Sequence, residues 1–215
     1  MIHLSNVVAK YSAGEGLEQV NLAVGPGEFV YLIGPSGAGK SSILKVIYME
    51  IFPQSGFVRV DKFSSLHLKK NQVPFLRRKL GIIFQDFKLL PDRTVFENVA
   101  FALQVTNARR KEIKKKVLRA LAEVGLSHKR AKMPNQLSGG EQQRIAIARA
   151  LVNEPIILLA DEATGNLDPE SEEEIIQLLE RINSRGTAIL MATHDDKLVR
   201  GTNRKIIRIK EGRTY

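Results

Sequence analysis

A glycine-rich segment offers the clearest chemistry in the sequence. Residues 34–41 read GPSGAGKS and match the phosphate-binding pattern GxxxxGK[ST] at every position. Glycines let successive backbone N–H groups turn toward phosphate oxygens, and a helix that begins just after them adds partial positive charge. Lys40 is placed to reach the β- and γ-phosphates of a nucleotide, and the hydroxyl group of Ser41 can bind Mg²⁺. The residues expected to contact the nucleotide are Gly34, Pro35, Ser36, Gly37, Ala38, Gly39, Lys40, Ser41 and Ser42.

Two adjacent carboxylates end an apolar run further along the chain. Residues 156–162 read IILLADE, which predicts a buried strand with Asp161 and Glu162 at its carboxyl end. Ligands of α/β sheets bind at that edge. Such a carboxylate pair alone usually marks a solvated strand end. Because the chain also has a phosphate-binding loop, a role in the nucleotide site is favoured. Asp161 is then expected to hold Mg²⁺, and Glu162 to orient or deprotonate the attacking water.

A second glycine pair precedes a helical pattern at 137–144, which read LSGGEQQR. Backbone N–H groups at such a helix start can contact phosphate oxygens. One nucleotide does not need two phosphate-binding segments in one chain, so this segment would serve a nucleotide held by a second copy. A plain helix cap at Ser138 explains the same residues equally well, and the residues alone leave both interpretations open.

The elements that must position these residues follow from hydrophobic patterning. Continuous apolar runs predict buried strands of a mainly parallel sheet, and they are FVYLI at 29–33, GIIF at 81–84, IILLA at 156–160, AILMAT at 188–193 and KIIRI at 205–209. Alternating residues within the first 25 predict antiparallel strands. Helical patterns alternate with the buried runs, so the fold class is α/β. We expect one domain, with an ATP-binding core over about 1–85 and 154–215 and an inserted helical sub-domain over about 86–153.

Composition narrows the class of protein. The chain has 215 residues, 43% of them hydrophobic, which is ordinary globular composition, and it contains no Cys. Disulfides, thiolate zinc sites and thiol nucleophiles are therefore excluded. Residues 1–20 lack the apolar stretch of a signal peptide, and no apolar run approaches the roughly 18 residues of a membrane span. Any membrane role is expected to come through a partner.

Positive charge is concentrated in one segment of a chain whose net charge is +10. Residues 108–132 contain ten Lys or Arg and only two acids, with apolar residues at helical spacing. A solvated helix face is the favoured interpretation. Nucleic-acid binding is less favoured because no Phe, Tyr or Trp interleaves with these charges to stack on bases. Attraction to an anionic membrane surface is more favoured than nucleic-acid binding and less favoured than a solvated helix face.

Together, the phosphate loop, LSGG, LLADE and the His after AILMAT resemble the ATP-binding-cassette (ABC) ATPases over essentially the whole chain. The resemblance implies a P-loop NTPase core with a small antiparallel β sub-domain, and Mg²⁺-dependent ATP hydrolysis. It also implies roles for further residues. Tyr11 would stack on adenine, Gln85 would sense Mg²⁺ and water, and His194 would contact the γ-phosphate. In a head-to-tail dimer, the γ-phosphate held by one copy would be contacted by Ser138, Gly139 and Gly140 of the other copy. The segment that joins the two sites would be Asn166, Leu167 and Asp168. Glu141 and Ala163 depart from the common pattern, which has Gln and Pro there.

One segment indicates the kind of ABC protein. Residues 77–103 resemble the cell-division members of the family, which implies an integral membrane partner and a peripheral position at the cytoplasmic face of the bacterial inner membrane. ATPases of lipoprotein release or small-molecule efflux are the alternative, and a stand-alone ATPase acting on nucleic acid is less favoured. We expect homodimers when ATP binds and no nucleic-acid partner. Of the apolar residues near Gln85, Phe87, Leu89 and Leu90 are expected to dock the partner, whereas Phe84 and Phe96 are expected to be core.

Overall fold

A computed structural model describes residues 1–12 and 15–215 of the chain, with the backbone alone for residues 11, 12 and 15. The strands are β1 (Ile2–Ser12), β2 (Glu15–Val24), β3 (Phe29–Ile33), β4 (Ser55–Val60), β5 (Phe63–Ser64), β6 (Leu80–Ile83), β7 (Ile157–Asp161), β8 (Ala188–Thr193), β9 (Lys205–Lys210) and β10 (Arg213–Thr214). The α-helices are α1 (Lys40–Ile47), α2 (Val73–Arg77), α3 (Val95–Gln104), α4 (Arg110–Glu123), α5 (Gly139–Leu151) and α6 (Pro169–Ser184). Short 3₁₀ turns cover Lys70–Gln72, Ser127–Lys129, Pro134–Gln136 and Asp196–Val199.

A six-stranded sheet forms the centre of the molecule, with the order β10-β9-β3-β8-β7-β6. β3 pairs in parallel with β8 and β9, and β7 pairs in parallel with β6 and β8. Only the edge pair of β9 and β10 is antiparallel within this sheet. The predicted α/β class with a mainly parallel sheet is confirmed. Because the strands run in parallel, the loops after β3, β6, β7 and β8 leave the same edge of the sheet.

A smaller antiparallel sheet has the order β2-β1-β4-β5. The two N-terminal strands agree with the alternating pattern of the first 25 residues. The prediction assigned no element to residues 51–76, although β4 lies there. β4 buries only Val58 and Val60 and leaves its first residues exposed, so it lacks the long apolar run that marks the central strands.

Two hydrophobic clusters cover the two faces of the larger sheet. Alternate residues of β3 belong to different clusters, because successive side chains of a strand point to opposite faces of the sheet. Val30 and Leu32 join the cluster shared with the smaller sheet and α1, whereas Tyr31 joins the cluster shared with α3 to α6. The large sheet is therefore buried on both faces, which explains the unbroken apolar runs of its strands.

Side-chain caps mark the starts of three helices. Thr94 and Ser138 each accept a hydrogen bond from the backbone N–H three residues later, at the starts of α3 and α5. Asp168 caps α6, with Pro169 at the first helical position. Helices α3, α4 and α5 lie between β6 and β7 in the chain. The exact division into core and helical sub-domain stays a prediction.

Candidate active site

The phosphate-binding segment forms the tight loop between β3 and α1. Gly37 and Gly39 have φ values of 79° and 108°, in the left-handed region where a side chain is unfavourable. A β-carbon at Gly34 would collide with the carbonyl oxygen of Ile209, a residue of β9. The backbone N–H of Gly212 donates to the carbonyl oxygen of Ala38 at 3.0 Å, so residues 209–212 brace the loop from outside.

Lys40 is the first residue of α1 and only 4% exposed. Its Nζ donates to the carbonyl oxygens of Gly34 at 2.8 Å and of Pro35 at 3.0 Å. It also lies 3.2 Å from Oε1 of Glu162. A buried ammonium with these partners is fixed at the mouth of the loop, where its charge would face the phosphates of a bound nucleotide.

Asp161 and Ser41 form the second contact of the site. The Ser41 hydroxyl donates to Oδ1 of Asp161 at 2.9 Å, joining the start of α1 to the end of β7. Burial raises the pKa of Asp161, and the negative charge of Glu162 adds to the rise, while Ser41 and Lys40 oppose it. A carboxylate and a hydroxyl oxygen are ligands that suit Mg²⁺, which takes few protein ligands and completes its shell from water and phosphates.

Glu162 occupies a strained position directly after β7. Its φ is 46°, in the left-handed region, and its backbone N–H donates to Ala192 on β8 at 3.0 Å. Its Oε2 lies 3.2 Å from Nδ1 of His194, the residue after β8. One carboxylate thus contacts Lys40 through one oxygen and His194 through the other. Such strain at a reactive group is typical of functional sites.

The surrounding cavity has a volume of about 640 Å³. Its lining includes Gln85, which follows β6, and it includes the loop residues Ser36, Gly37, Gly39, Lys40, Ser41 and Ser42 together with Glu162, Gly16, Glu18, Glu211 and Gly212. Gln85 also accepts a hydrogen bond at its carbonyl oxygen from Asn166 at 3.4 Å. The cavity is thus lined by the phosphate loop, the expected base and the expected sensor of water.

The LSGG segment lies elsewhere in the chain, at the start of α5. Among the described residues that line the cavity, none belongs to the segment 138–140. A β-carbon at Gly139 would touch Leu167 and approach the ring of Phe87, and one at Gly140 would press on Ser171. The departure at Glu141 has a structural role, because its carboxylate accepts from the Ser138 backbone N–H and pairs with Lys129. That pairing lowers the pKa of Glu141.

Asp168, a further expected nucleotide contact, does not line this cavity. Asp168 accepts a hydrogen bond from the Ser171 backbone N–H at 2.9 Å, which lowers the pKa of Asp168 and makes it the cap of α6. Tyr11 lies on β1, but its side chain is outside the described residues.

Gln143, a fully buried polar residue on α5, was not predicted as a site residue. Its Nε2 donates to the carbonyl oxygen of Ala163 at 2.6 Å, so α5 holds the backbone that follows Glu162. Gln143 Oε1 has no partner within the described part of the chain. A signal existed, because Gln143 shares the buried stripe of α5 with Ile147 and Ala150, four and seven residues later.

Two further residues missed in the sequence hold the segment after Gln85. The Arg149 guanidinium donates to the carbonyl oxygens of Phe87 and Lys88, whose φ values of 54° and 52° are both left-handed. Asn98 is fully buried, accepts from the Leu90 backbone N–H at 2.7 Å and donates to the Leu90 carbonyl oxygen at 3.1 Å. Side chains of α5 and α3 thus determine the shape of this segment.

Comparisons with known proteins match nearly the whole chain. The family described as ABC transporter matches residues 17–165. A relative in Streptococcus pneumoniae serotype 2, named cell division ATP-binding protein FtsE, is 51% identical over 214 residues, which are 99% of this chain and 93% of the relative. The protein of that name in Escherichia coli K12 is 44% identical and covers 100% of this chain and 97% of its own length. The ATP-binding cassette MJ0796, solved as a post-hydrolysis dimer bound to ADP and Pi, is similar with a TM-score of 0.88 and 39% identity, covering 100% of this chain and 96% of that one.

Proposed function

This chain belongs to the ABC transporter family, and on that premise we propose that it is the ATPase subunit of a bacterial cell-division complex with an FtsX-like integral membrane protein. The chain binds and hydrolyses ATP, as the sequence predicted. The expected resemblance to cell-division members of the family is also confirmed. The observation that carries the proposal is the 44–51% identity to proteins of one name over nearly their full length.

We assign the binding of ATP to the loop between β3 and α1. Its backbone N–H groups and Lys40 would hold the β- and γ-phosphates, with Ser42 beside them. The oxygen ligands Ser41 and Asp161, 2.9 Å apart, fit Mg²⁺, with Gln85 as the remaining protein contact. When bound, Mg²⁺ would neutralise charge that develops on the phosphate oxygens.

Glu162 is assigned as the general base. Its Oε1 contacts Lys40, and phosphate oxygens in the loop would compete for the Lys40 ammonium. Release of that contact would free Oε1 to accept a proton from water, while His194 holds the other carboxylate oxygen. The short link from Gln143 to Ala163 keeps the adjoining backbone in place. ATP binding would thereby activate its own hydrolysis.

A second copy completes the proposed site. The cavity of one chain lacks a contribution from its own LSGG segment, and the similar cassette MJ0796 is a dimer. We assign Ser138, Gly139 and Gly140 to the γ-phosphate held by the partner copy, with residues 166–168 between the two sites. No helix of the described residues is long and apolar enough to cross a membrane. The FtsX-like partner would bring the chain to the cytoplasmic face of the membrane.

The substitution Glu162→Gln tests the assignment of the base. The variant is expected to bind Mg²⁺ and ATP normally but to hydrolyse ATP about 10²–10⁴-fold more slowly, because the amide cannot accept the proton. Steady-state phosphate release and a nucleotide-affinity titration measure the two quantities separately. Glu211→Gln is the matched control, since Glu211 lines the same cavity but contacts neither Lys40 nor His194. Near-normal hydrolysis by Glu162→Gln would show that another group is the base.

A further inference from the structure

Helix α4 carries a set of exposed cations that the proposed ATPase mechanism does not use. These residues form the basic patch, which we define as Arg109, Arg110, Lys111, Lys114, Lys115 and Arg119. Their side chains form no hydrogen bond or ion pair with any residue in the described ranges 1–12 and 15–215. Lys116 differs, since it pairs with Glu154 at 3.4 Å. Within the described residues, the basic patch therefore forms no ion pair, although Glu112 and Glu123 line the same cavity as Lys115 and Arg119.

The placement of these charges works against the helix that bears them. Arg109 and Arg110 lie at the amino end of α4, where the helix dipole disfavours cations, and Arg109 provides no side-chain cap. Lys111, Lys115 and Arg119 are spaced four apart, so like charges adjoin along one face. The first turn of α4 contains one acid, Glu112, whereas helix α6 begins with an Asp cap and has two acids in its first turn. Charges that destabilise the helix on which they lie indicate that those charges serve a role other than folding.

Three cations of the patch, Lys111, Lys115 and Arg119, lie in a line along α4. Val117, Ala120 and Leu121 are buried, and at 100° per residue the line from Lys111 to Arg119 lies on the opposite face. That line is about 12 Å long. The acid Glu123 lies to one side and is paired with Arg185 at 2.8 Å. The outward face of α4 therefore carries a predominantly positive stripe, with the exposed acid Glu112 beside it.

Exposed apolar side chains adjoin the patch in the chain. Val105 is 56% exposed and Phe101 is 36% exposed, one turn apart at the end of α3 and just before Arg109. Basic residues next to exposed apolar ones suit an anionic lipid surface, where cations meet headgroups and apolar groups enter the boundary with the acyl chains. Nucleic acid fits less well, because residues 109–119 contain no aromatic side chain for stacking.

We propose that the basic patch, with Phe101 and Val105, binds the anionic phospholipid surface of the membrane directly. The proposal rests on the proposed function only in that a membrane partner would bring the chain to that surface. The contact itself needs neither the partner nor ATP. It would orient the helical part of the chain against the membrane through charge complementarity, and salt would weaken it because exposed charges are screened within about 8 Å at physiological ionic strength.

Vesicle flotation with the purified full-length chain tests this proposal. The probes are vesicles of phosphatidylcholine alone and of equal parts phosphatidylcholine and phosphatidylglycerol. The chain is expected to float with the anionic vesicles only, and less at high salt. The combined variant Lys111→Gln, Lys114→Gln, Lys115→Gln and Arg119→Gln is expected to lose at least tenfold in bound fraction while retaining ATP hydrolysis. A Val105→Ser variant is expected to bind these vesicles more weakly than wild type.

A control variant removes the same charge elsewhere. Lys69→Gln, Lys79→Gln, Arg181→Gln and Arg200→Gln change four exposed cations outside α4, and this variant is expected to float like wild type. Equal loss in both variants would show that net charge, and not the basic patch, attracts the vesicles, and would overturn the proposal. Full binding by the α4 variant would do the same, as would tighter, patch-dependent binding to RNA or DNA. Failure of the Glu162→Gln test would leave these results unaffected, so the two proposals can fail separately.

Discussion

At the scale of single residues, the carboxylate of Asp161 lowers the stability of the fold, although the proposed function requires it. Burial is the main reason why the pKa of its carboxyl group is raised, and Glu162 adds to it. Folding therefore favours the protonated carboxyl group. The stability that Asp161 contributes is present at pH values below its unfolded pKa and is lost as the pH rises through the folded pKa. The ionised form of the side chain opposes folding until a cation reaches it.

We therefore expect Asp161→Asn to stabilise the nucleotide-free protein at pH 7 while it abolishes Mg²⁺-dependent hydrolysis. The Asn side chain can still accept the hydrogen bond from Ser41 without a buried charge. A gain of about 1 kcal/mol would raise the Tm by ~2–4 °C for a domain of this size. Thermal unfolding at a series of pH values measures it, and the difference should shrink as the pH falls. An Asn variant that melts below wild type at pH 7 would contradict this expectation.

At the scale of elements, the segment after β6 links the nucleotide site to the helices. Arg149 and Asn98 hold its backbone, and the Phe87 ring approaches Gly139 at the start of α5. Of the expected docking residues, Leu89 packs against the helical cluster, as does Phe96. Phe84, Phe87 and Leu90 belong to neither of the two hydrophobic clusters. Leu89 is therefore partly buried against the helical cluster, the core position expected for Phe84 is not shown by either cluster, and docking by Phe87 and Leu90 stays a prediction.

We expect Phe87→Ala and Leu90→Ala to weaken binding of an FtsX-like membrane partner while ATP affinity stays nearly unchanged. Apolar anchors at an interface commonly contribute about 2 kcal/mol or more, which corresponds to about 30-fold in affinity. Copurification with the partner and nucleotide titration on the same preparations measure both effects. Phe75→Ala is the control, because Phe75 on α2 is an exposed aromatic residue outside this segment. If both variants keep the partner, docking occurs elsewhere; if both lose ATP, these residues support the core.

Local sequence patterns predicted the strands that are buried along their whole length, because such strands appear as continuous apolar runs. The run FVYLI is buried throughout in β3, and AILMAT likewise coincides with β8, so hydrophobicity alone defined both strands. β4 is buried at only two positions, and its pairing depends on β1, which is distant in the chain. The phosphate loop was predictable because its glycines and Lys40 form a contiguous motif, although its brace from residues 209–212 was not. The anchoring roles of Gln143, Arg149 and Asn98 were not, because their partners are backbone atoms of other elements.

At the scale of the whole molecule, the site is divided between strands that the sheet order brings together. Lys40, Glu162 and His194 come after β3, β7 and β8, respectively. Three strands separate β3 from β7 in the chain, but β8 lies between β3 and β7 in the sheet, so the three residues meet. Each residue was predicted from its own motif, but their mutual contacts depend on the order of the strands. The LSGG segment lies outside this cluster, so the complete site is expected to require two copies.

The dimer can be tested with the variant that retains ATP. With saturating Mg²⁺ and ATP, Glu162→Gln is expected to change from 24.0 kDa to twice that mass, because unhydrolysed ATP links each phosphate loop to the other copy's LSGG segment. Light scattering with and without ATP measures the change. Adding Lys40→Ala to the same variant provides the control, since loss of nucleotide binding should keep it monomeric. A monomeric Glu162→Gln at saturating ATP would mean that the isolated chain does not dimerise in this way.

The brace that residues 209–212 place against the phosphate loop has a consequence for biosynthesis. The phosphate loop is synthesised well before Ile209 and Gly212, which lie far downstream in the chain. A nascent chain therefore contains the GPSGAGKS motif long before the motif has its outer support. ATP stabilises only a state that can bind it, so it cannot assist folding before that support is made. A chain terminated before Gly212 is expected to contain the motif without a competent site, and ATP is expected not to stabilise it.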